Sequence, residues 1–171
     1  FDTSANKKKS QKRTKGGSYI NEEEKRIILE ILDDLKSTGE LKGLDIGIIT
    51  GYSGQKELLR KSIKATGLDK IASKIDINTL DAFQGRENDI IIYSTVRTRD
   101  SIGFQKEKER VNVAFSRAKK LLIVCGDKNF FYNFDDQDNK FVEIIDYISE
   151  EEECEIIQCD GGKLFERESN S

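Results

Sequence analysis

The 171-residue chain has no histidine, and that absence excludes a good deal of chemistry. Zinc sites built on imidazole, Ser-His-Asp triads and Cys-His dyads fall away together. Cysteine is scarce: Cys125, Cys154 and Cys159 stand at no metal-ligand spacing. An odd count in a cytosol-like composition points to reduced thiols and a cytoplasmic setting, with Cys125 packed on a strand. Long apolar runs are missing too. Those around Asp89–Tyr93 and Leu121–Cys125 fall far short of the ~20 residues of a membrane span, so no membrane partner is expected. The chain also lacks a glycine-rich phosphate loop ending in Lys-Ser or Lys-Thr, and an Asp-Glu pair after an apolar strand. Those features cradle phosphates and hold magnesium in nucleotide hydrolases, so the chain alone is expected to hydrolyse no ATP.

What is present is 36% hydrophobic and 36% charged, in a length typical of one domain. A globule of this size buries enough surface to hold a core without disulfides or metal. No signal peptide is visible and the first residue is Phe1, which reads as an excised fragment. The net charge of −3 is unevenly spread. Residues 1–20 carry six Lys or Arg against Asp2, residues 50–120 carry 15 basic against 9 acidic side chains, and residues 121–171 carry 4 against 14. A solvated face explains most charge runs, but the basic middle coincides with the motifs below and tilts toward a polyanionic partner.

Residues 3–18 are rich in Lys, Ser, Thr and Gly with no apolar anchor between Ala5 and Tyr19, which reads as a mobile basic loop or linker over 1–18. Asn21 or Ser18 caps a helix over 22–36 whose apolar face is Ile27, Ile28, Ile31, Leu32 and Leu35, with Gly39 as its stop. Strands are predicted over 44–50, 75–80, 90–96 and 121–125, with a last one over 154–158. Helices are predicted after Gly54, over 107–119 and over 140–148. Strands alternating with helices, and apolar at nearly every position, imply an α/β sandwich on a mostly parallel, doubly covered sheet. One domain over 19–160 and a tail over 161–171 complete the division.

Three segments carry the chemistry. In the predicted helix, Arg110 and Arg117 lie seven residues apart and project from nearly one face, beside an apolar stripe of Val111, Phe115 and Ala118. Paired guanidiniums on a docked support suit the charge of a phosphoryl group in transfer, although a pair of salt-bridged surface arginines fits the spacing as well. In Thr79–Glu87, Thr79 offers a hydroxyl at a strand end for a backbone phosphate. Asp81 braces the loop, Gly85 permits close backbone approach, and Glu87 suits sugar hydroxyls. In Gly51–Lys56, Tyr52 is a ring for stacking on a base and Gln55 an amide fork. Lys56 is a cation in a first helical turn, where the dipole disfavours it unless a phosphate is near.

Together these segments resemble motifs of the superfamily 1 helicases, in the branch of the nonsense-mediated-decay helicase and senataxin. Ile49-Thr50-Gly51-Tyr52-Ser53-Gly54-Gln55 resembles motif IV, with Gly51 where proline is usual. Thr79-Leu80-Asp81-Ala82-Phe83-Gln84-Gly85-Arg86-Glu87 resembles motif V, Arg110 to Lys119 resembles motif VI, and Ser18–Glu24 resembles the opening of the second motor domain. The resemblance implies a second RecA-like domain, a three-layer sandwich, in an ATP-dependent helicase or translocase. It implies ATP and Mg2+ held mainly by a preceding RecA-like domain of the same polypeptide, and single-stranded DNA or RNA as partner. Arg117 becomes an arginine finger, with Lys56 at the place of a second one and Arg110 beside it. Gly85, Glu87 and Gln55 become nucleotide neighbours, and Thr79 and Tyr52 strand contacts. Lysine at 56 keeps the charge but loses the bidentate fork. Two other readings remain open at this level: a catalytically inactive nucleic-acid-binding or regulatory module, and a stand-alone nucleotide-binding protein acting as a homodimer.

Overall fold

A computed structural model of the chain describes residues 1–39, 41–83, 86–106, 108–134 and 139–165. The chain opens on a two-stranded antiparallel ribbon, β1 (Lys12–Arg13) and β2 (Tyr19–Ile20), followed by α1 (Glu22–Thr38). Then come β3 (Asp45–Thr50), α2 (Ser53–Ala65), β4 (Lys74–Thr79), β5 (Asn88–Ser94), α3 (Lys108–Phe115), β6 (Ala118–Cys125), α4 (Lys128–Tyr132) and α5 (Lys140–Glu150). The four later strands form one wholly parallel sheet in the order β4-β3-β5-β6, flanked by helices, which is a RecA-like fold.

The alternation of β5 shows how the layers arise. Ile90 and Ile92 turn to one face, where they meet Ile27, Ile28, Ile31 and Leu32 of α1 and Leu59 and Ile63 of α2. Ile91 and Tyr93 turn to the other, among Val111, Ala114, Phe131 and Phe141. Full burial of one such side chain contributes roughly 1.5–3 kcal/mol, so packing rather than helix propensity holds α1 and α2 in place. The ends of α1 are set locally: the Asn21 side chain accepts from the Glu23 and Glu24 amides, acids fill the first turn, and Gly39 closes the helix at φ 74°. No helix among the described residues is long and apolar enough to cross a membrane.

Four expectations change. The helix predicted over 107–119 runs only from Lys108 to Phe115, because the Arg117 carbonyl accepts from the Asn88 amide and Ala118 already pairs with β5. Strand pairing overrides local propensity here. The segment 154–158 forms no strand and contributes a single bridge, Gln158 to Asp2. Residues 3–13 are docked rather than mobile: Asn6 Nδ2 donates to Glu23 at 2.7 Å, the Gln11 side-chain oxygen accepts from the Thr98 amide at 2.9 Å, and Lys9 pairs with Asp127 at 2.8 Å. Polar side chains anchor this segment, so a search for apolar anchors misses it. The tail begins docked as well, since the Leu164 amide donates to Glu30 at 3.0 Å.

One connection positions the site. β5 lies beside β3, not β4, so residues 80–87 must pass from the C-terminal end of β4 across β3 to the N-terminal end of β5. Phe83 seats this crossing, buried against mid-strand Gly47. A β-carbon on Gly47 would lie 2.5 Å from Phe83 Cζ and 2.7 Å from Ile91 Cδ1. Gly47→Ala is therefore expected to cost about 1–3 kcal/mol in chemical denaturation, with part of the loss recovered when Phe83→Leu is added. An alanine variant as stable as the parent would show that the crossing does not rest on β3.

Candidate functional site

The parallel register divides the predicted site residues between opposite edges of the sheet. Thr50 pairs with Thr79 and Ser94, and Ser94 with Cys125, so these residues mark the C-terminal edge. Asn88 pairs with Ala118 at the start of both strands, which marks the N-terminal edge. With ~3.3 Å per residue, the edges lie roughly 20 Å apart along β5.

Arg117 and Glu87 share the N-terminal edge. Arg117 follows α3 in a turn, and its Nε donates to the Val113 carbonyl at 3.2 Å, which fixes the base of the guanidinium, while its two terminal nitrogens make no hydrogen bond among the described residues. Among the described residues no carboxylate comes within ion-pair reach of this half-buried side chain. Glu87 stands one residue before Asn88, whose amide holds the Arg117 carbonyl, and its exposed carboxylate lies 3.9 Å from Lys119 Nζ. Such a half-exposed pair contributes little and opens readily. Gly85, the third residue expected here, lies outside the described residues.

Arg110 stands higher on α3, roughly 10 Å from Arg117 by helical rise, and its guanidinium lies 3.3 Å from Asp81. The pairing of Arg110 and Arg117 on one helical face is thus corrected: Arg110 braces the crossing segment, the part assigned to Asp81 from sequence, and Arg117 stands past the helix end. Ala114, between them in sequence, is buried in the core with Val111. A second brace joins Arg86 to Asp76 of β4.

Thr79, Tyr52, Gln55 and Lys56 lie at the other edge. Thr79 keeps a partly exposed place at the end of β4. Tyr52 does not offer a ring to solvent: it is 4% exposed, packs edge-on against Tyr19 at 5.6 Å, and burial pushes its phenol up to about 12. Gln55 is fully buried, and its amide fork grips the chain itself, accepting from the Asn21 amide at 2.8 Å and donating to the Asn21 carbonyl and Ser94 Oγ at 3.1 Å. Both residues brace the site rather than touch a ligand. Lys56, in the first turn of α2, pairs loosely with Glu57 at 3.7 Å and is separated from Arg117 by the height of the sheet.

The polar centre that sequence reading missed is Glu24. It is fully buried and accepts from Ser94 Oγ at 2.6 Å, Thr95 Oγ1 at 3.1 Å, the Val96 amide at 2.9 Å and Asn21 Nδ2 at 3.2 Å. Burial outweighs these donors and raises its carboxyl to about 7. The capping pattern of Asn21 with an acid three residues on was legible; that the acid also holds the end of β5 was not. Among the described residues no cluster of His, Cys, Asp or Glu is able to hold a metal ion.

Comparison with known proteins places these edges in a family. A protein-family model described as an AAA domain matches residues 1–129. The chain is 38% identical over 144 residues to an uncharacterised ATP-dependent helicase of Methanocaldococcus jannaschii, covering 82% of this chain and 20% of that protein. It is 38% identical over 116 residues to a regulator of nonsense transcripts 1 homolog of Neurospora crassa, covering 66% and 10% respectively. It is 39% identical over 125 residues to Helicase SEN1 of Saccharomyces cerevisiae, covering 69% and 6%. The chain therefore spans a fifth or less of these relatives. A match running from the first residue through the crossing segment and both arginines means that the chain belongs to the AAA-domain family of superfamily 1 helicases.

Proposed function

We propose that the chain is the second motor domain of an ATP-dependent helicase or translocase acting on single-stranded DNA or RNA. The observation that carries this reading is Arg117: a guanidinium tethered at its base, without a described carboxylate partner, beside Glu87 at one edge of the sheet. Its terminal donors have no hydrogen-bond partner among the described residues, and in this reading they meet an anion supplied from outside the chain. In this reading a preceding RecA-like domain supplies most of the ATP site together with Mg2+, and ATP supplies the phosphoryl group that passes to water. Arg117 meets the charge that spreads over the equatorial oxygens, and Gly85 and Glu87 flank the nucleotide. Arg110 acts through Asp81 as a positioning residue.

Thr79, at the opposite edge, holds a backbone phosphate of the strand, and Lys56 adds a cation on the same side. The crossing segment runs between the two edges, so closure of the domains around ATP is felt where the strand lies. Two of the three relatives are named as helicases, which supports this reading.

The test is hydrolysis by the full-length protein with and without a homopolymeric single strand, alongside the 171-residue chain. Strand-stimulated hydrolysis is expected from the full-length protein and none from the chain alone. Strand affinity is expected to fall with salt by ~0.7 logarithmic units per phosphate contact for each decade of salt. A full-length protein that binds strands without hydrolysing ATP would instead be a binding module, and a flat salt response would remove the phosphate contacts.

A further inference from the structure

We infer that the β1–β2 ribbon is a second phosphate-contacting surface that lengthens the single-strand track beyond Thr79, an inference resting on the function proposed above. The ribbon is built into the same edge. From Thr79 the rim continues to its register partner Thr50, whose carbonyl also accepts from the Leu80 amide at 3.1 Å. It passes through Gly51 and Tyr52 to the start of α2, where the Gly54 amide donates to Ser18 Oγ at 3.0 Å. Ser18 closes the ribbon and precedes β2. A β-carbon on Gly54 would lie 3.1 Å from the Tyr19 carbonyl, so ribbon and helix touch closely.

The ribbon is also rigidly held. Arg97 stacks on the Tyr19 ring at 4.2 Å, with Tyr52 on that ring's other contact, and Gln11 exchanges hydrogen bonds with Thr98 just past the end of β5. A support fixed on three sides presents charge at low entropic cost.

What it presents is positive. Lys12, Arg13 and Lys15 are exposed, as are Lys7 and Lys8 before them, and none pairs with a carboxylate among the described residues. Elsewhere on the domain Lys25, Arg26, Lys120 and Lys140 each face a carboxylate, while Lys61, Lys64, Lys70 and Lys74 do not among the described residues, so it is the clustering on one rim that sets the ribbon cations apart. Asp100, near the base of the ribbon, lies 4.0 Å from Arg97 and Arg99 and 3.5 Å from Gln11. Like charges gathered without counter-charges repel one another, and a polyanion along the edge relieves that repulsion. Such contacts read no sequence and track a sugar-phosphate backbone.

The test uses the full-length protein with K12E/R13E/K15E and the milder K12Q/R13Q/K15Q, binding a fluorescent oligonucleotide at several salt concentrations. All three positions are exposed, so melting temperature is expected to stay unchanged. The glutamate variant is expected to lose about 10–100-fold in affinity near ~100 mM salt and to flatten the log-log slope by about 2, with the glutamine variant between it and the parent. A strand carrying photoreactive pyrimidines is expected to cross-link to the peptide 7–18. Unchanged affinity and slope, with strand binding otherwise intact, would overturn this inference alone; a full-length protein that binds no strand would overturn the proposed function with it. Loss of binding to polyglutamate with strand affinity untouched would assign the ribbon to an acidic polypeptide and overturn the nucleic-acid assignment.

Discussion

Arg117→Ala in the full-length protein is expected to lower strand-stimulated ATP hydrolysis by about 10²–10³-fold, the loss that follows removal of one fixed transition-state donor. Strand affinity is expected to remain within about twofold, because Arg117 and Thr79 stand at opposite edges of the sheet. The fold is expected to survive, since the side chain makes one hydrogen bond, to the Val113 carbonyl, and is half-buried. Arg117→Lys separates charge from geometry. An ammonium keeps the charge but loses both the forked donors and the Nε tether, so little recovery is expected. Steady-state hydrolysis with saturating strand distinguishes these cases, and unchanged turnover in the alanine variant would remove Arg117 from the mechanism.

Glu24 carries the second large effect. Its carboxyl titrates at about 7 when buried, against 4.5 unperturbed. An acid whose value is raised by folding stabilises the fold fully below its unfolded value and loses that contribution as pH rises through the folded one. Stability should therefore decline between about pH 4.5 and 7, by on the order of 3 kcal/mol, or about 6–12 °C in Tm for a domain of this size. Asp89 has the opposite sign: the Asp45 amide and Lys120 hold its carboxyl below 3.8, so its contribution is lost only in more acidic solution. Glu24→Gln is expected to abolish the slope between about pH 4.5 and 7. Glu24→Ala is expected to destabilise by about 3–5 kcal/mol, leaving Ser94, Thr95 and the Val96 amide without their acceptor. The alanine change also releases Val96, a β-branched residue held at φ 68°. Thermal melts across this pH range check both variants, and a slope that persists in the glutamine variant would place the titration elsewhere.

Much of this architecture was legible from sequence because its causes are local or periodic. The apolar spacing of Ile27, Ile28, Ile31 and Leu32, the Asn21 cap and the Gly39 stop define α1 without tertiary information. The isoleucine run of β5, apolar on both faces, declared a buried parallel strand. Elements decided by distant partners were not legible. The end of α3 depends on the Asn88 amide, which is far from Arg117 in sequence and adjacent in space. The ribbon depends on Gln11, Ser18 and Asn6 finding polar partners in other elements, which no hydropathy pattern records.

The site was legible as chemistry but not as geometry. Thr79, Glu87 and Arg117 stand out in the sequence by residue type and order, yet only the register shows which edge each occupies. Tyr52 and Gln55 misled because an aromatic and an amide beside a strand end serve equally to bind a ligand or to seal a buried junction. Burial decides between those uses, and it is complete or nearly so for both.

The passage from β4 to β5 has a mechanical corollary. Nine peptide steps separate Thr79 from Asn88, a reach of ~30 Å at most, and the turn over Asp81–Phe83 shortens it by several ångströms. The height of the sheet together with two strand spacings consumes roughly 22 Å of that reach. Phe83, Arg86 and Asp81 pin the passage along the way. A cord fastened at intervals transmits a pull at one end rather than absorbing it.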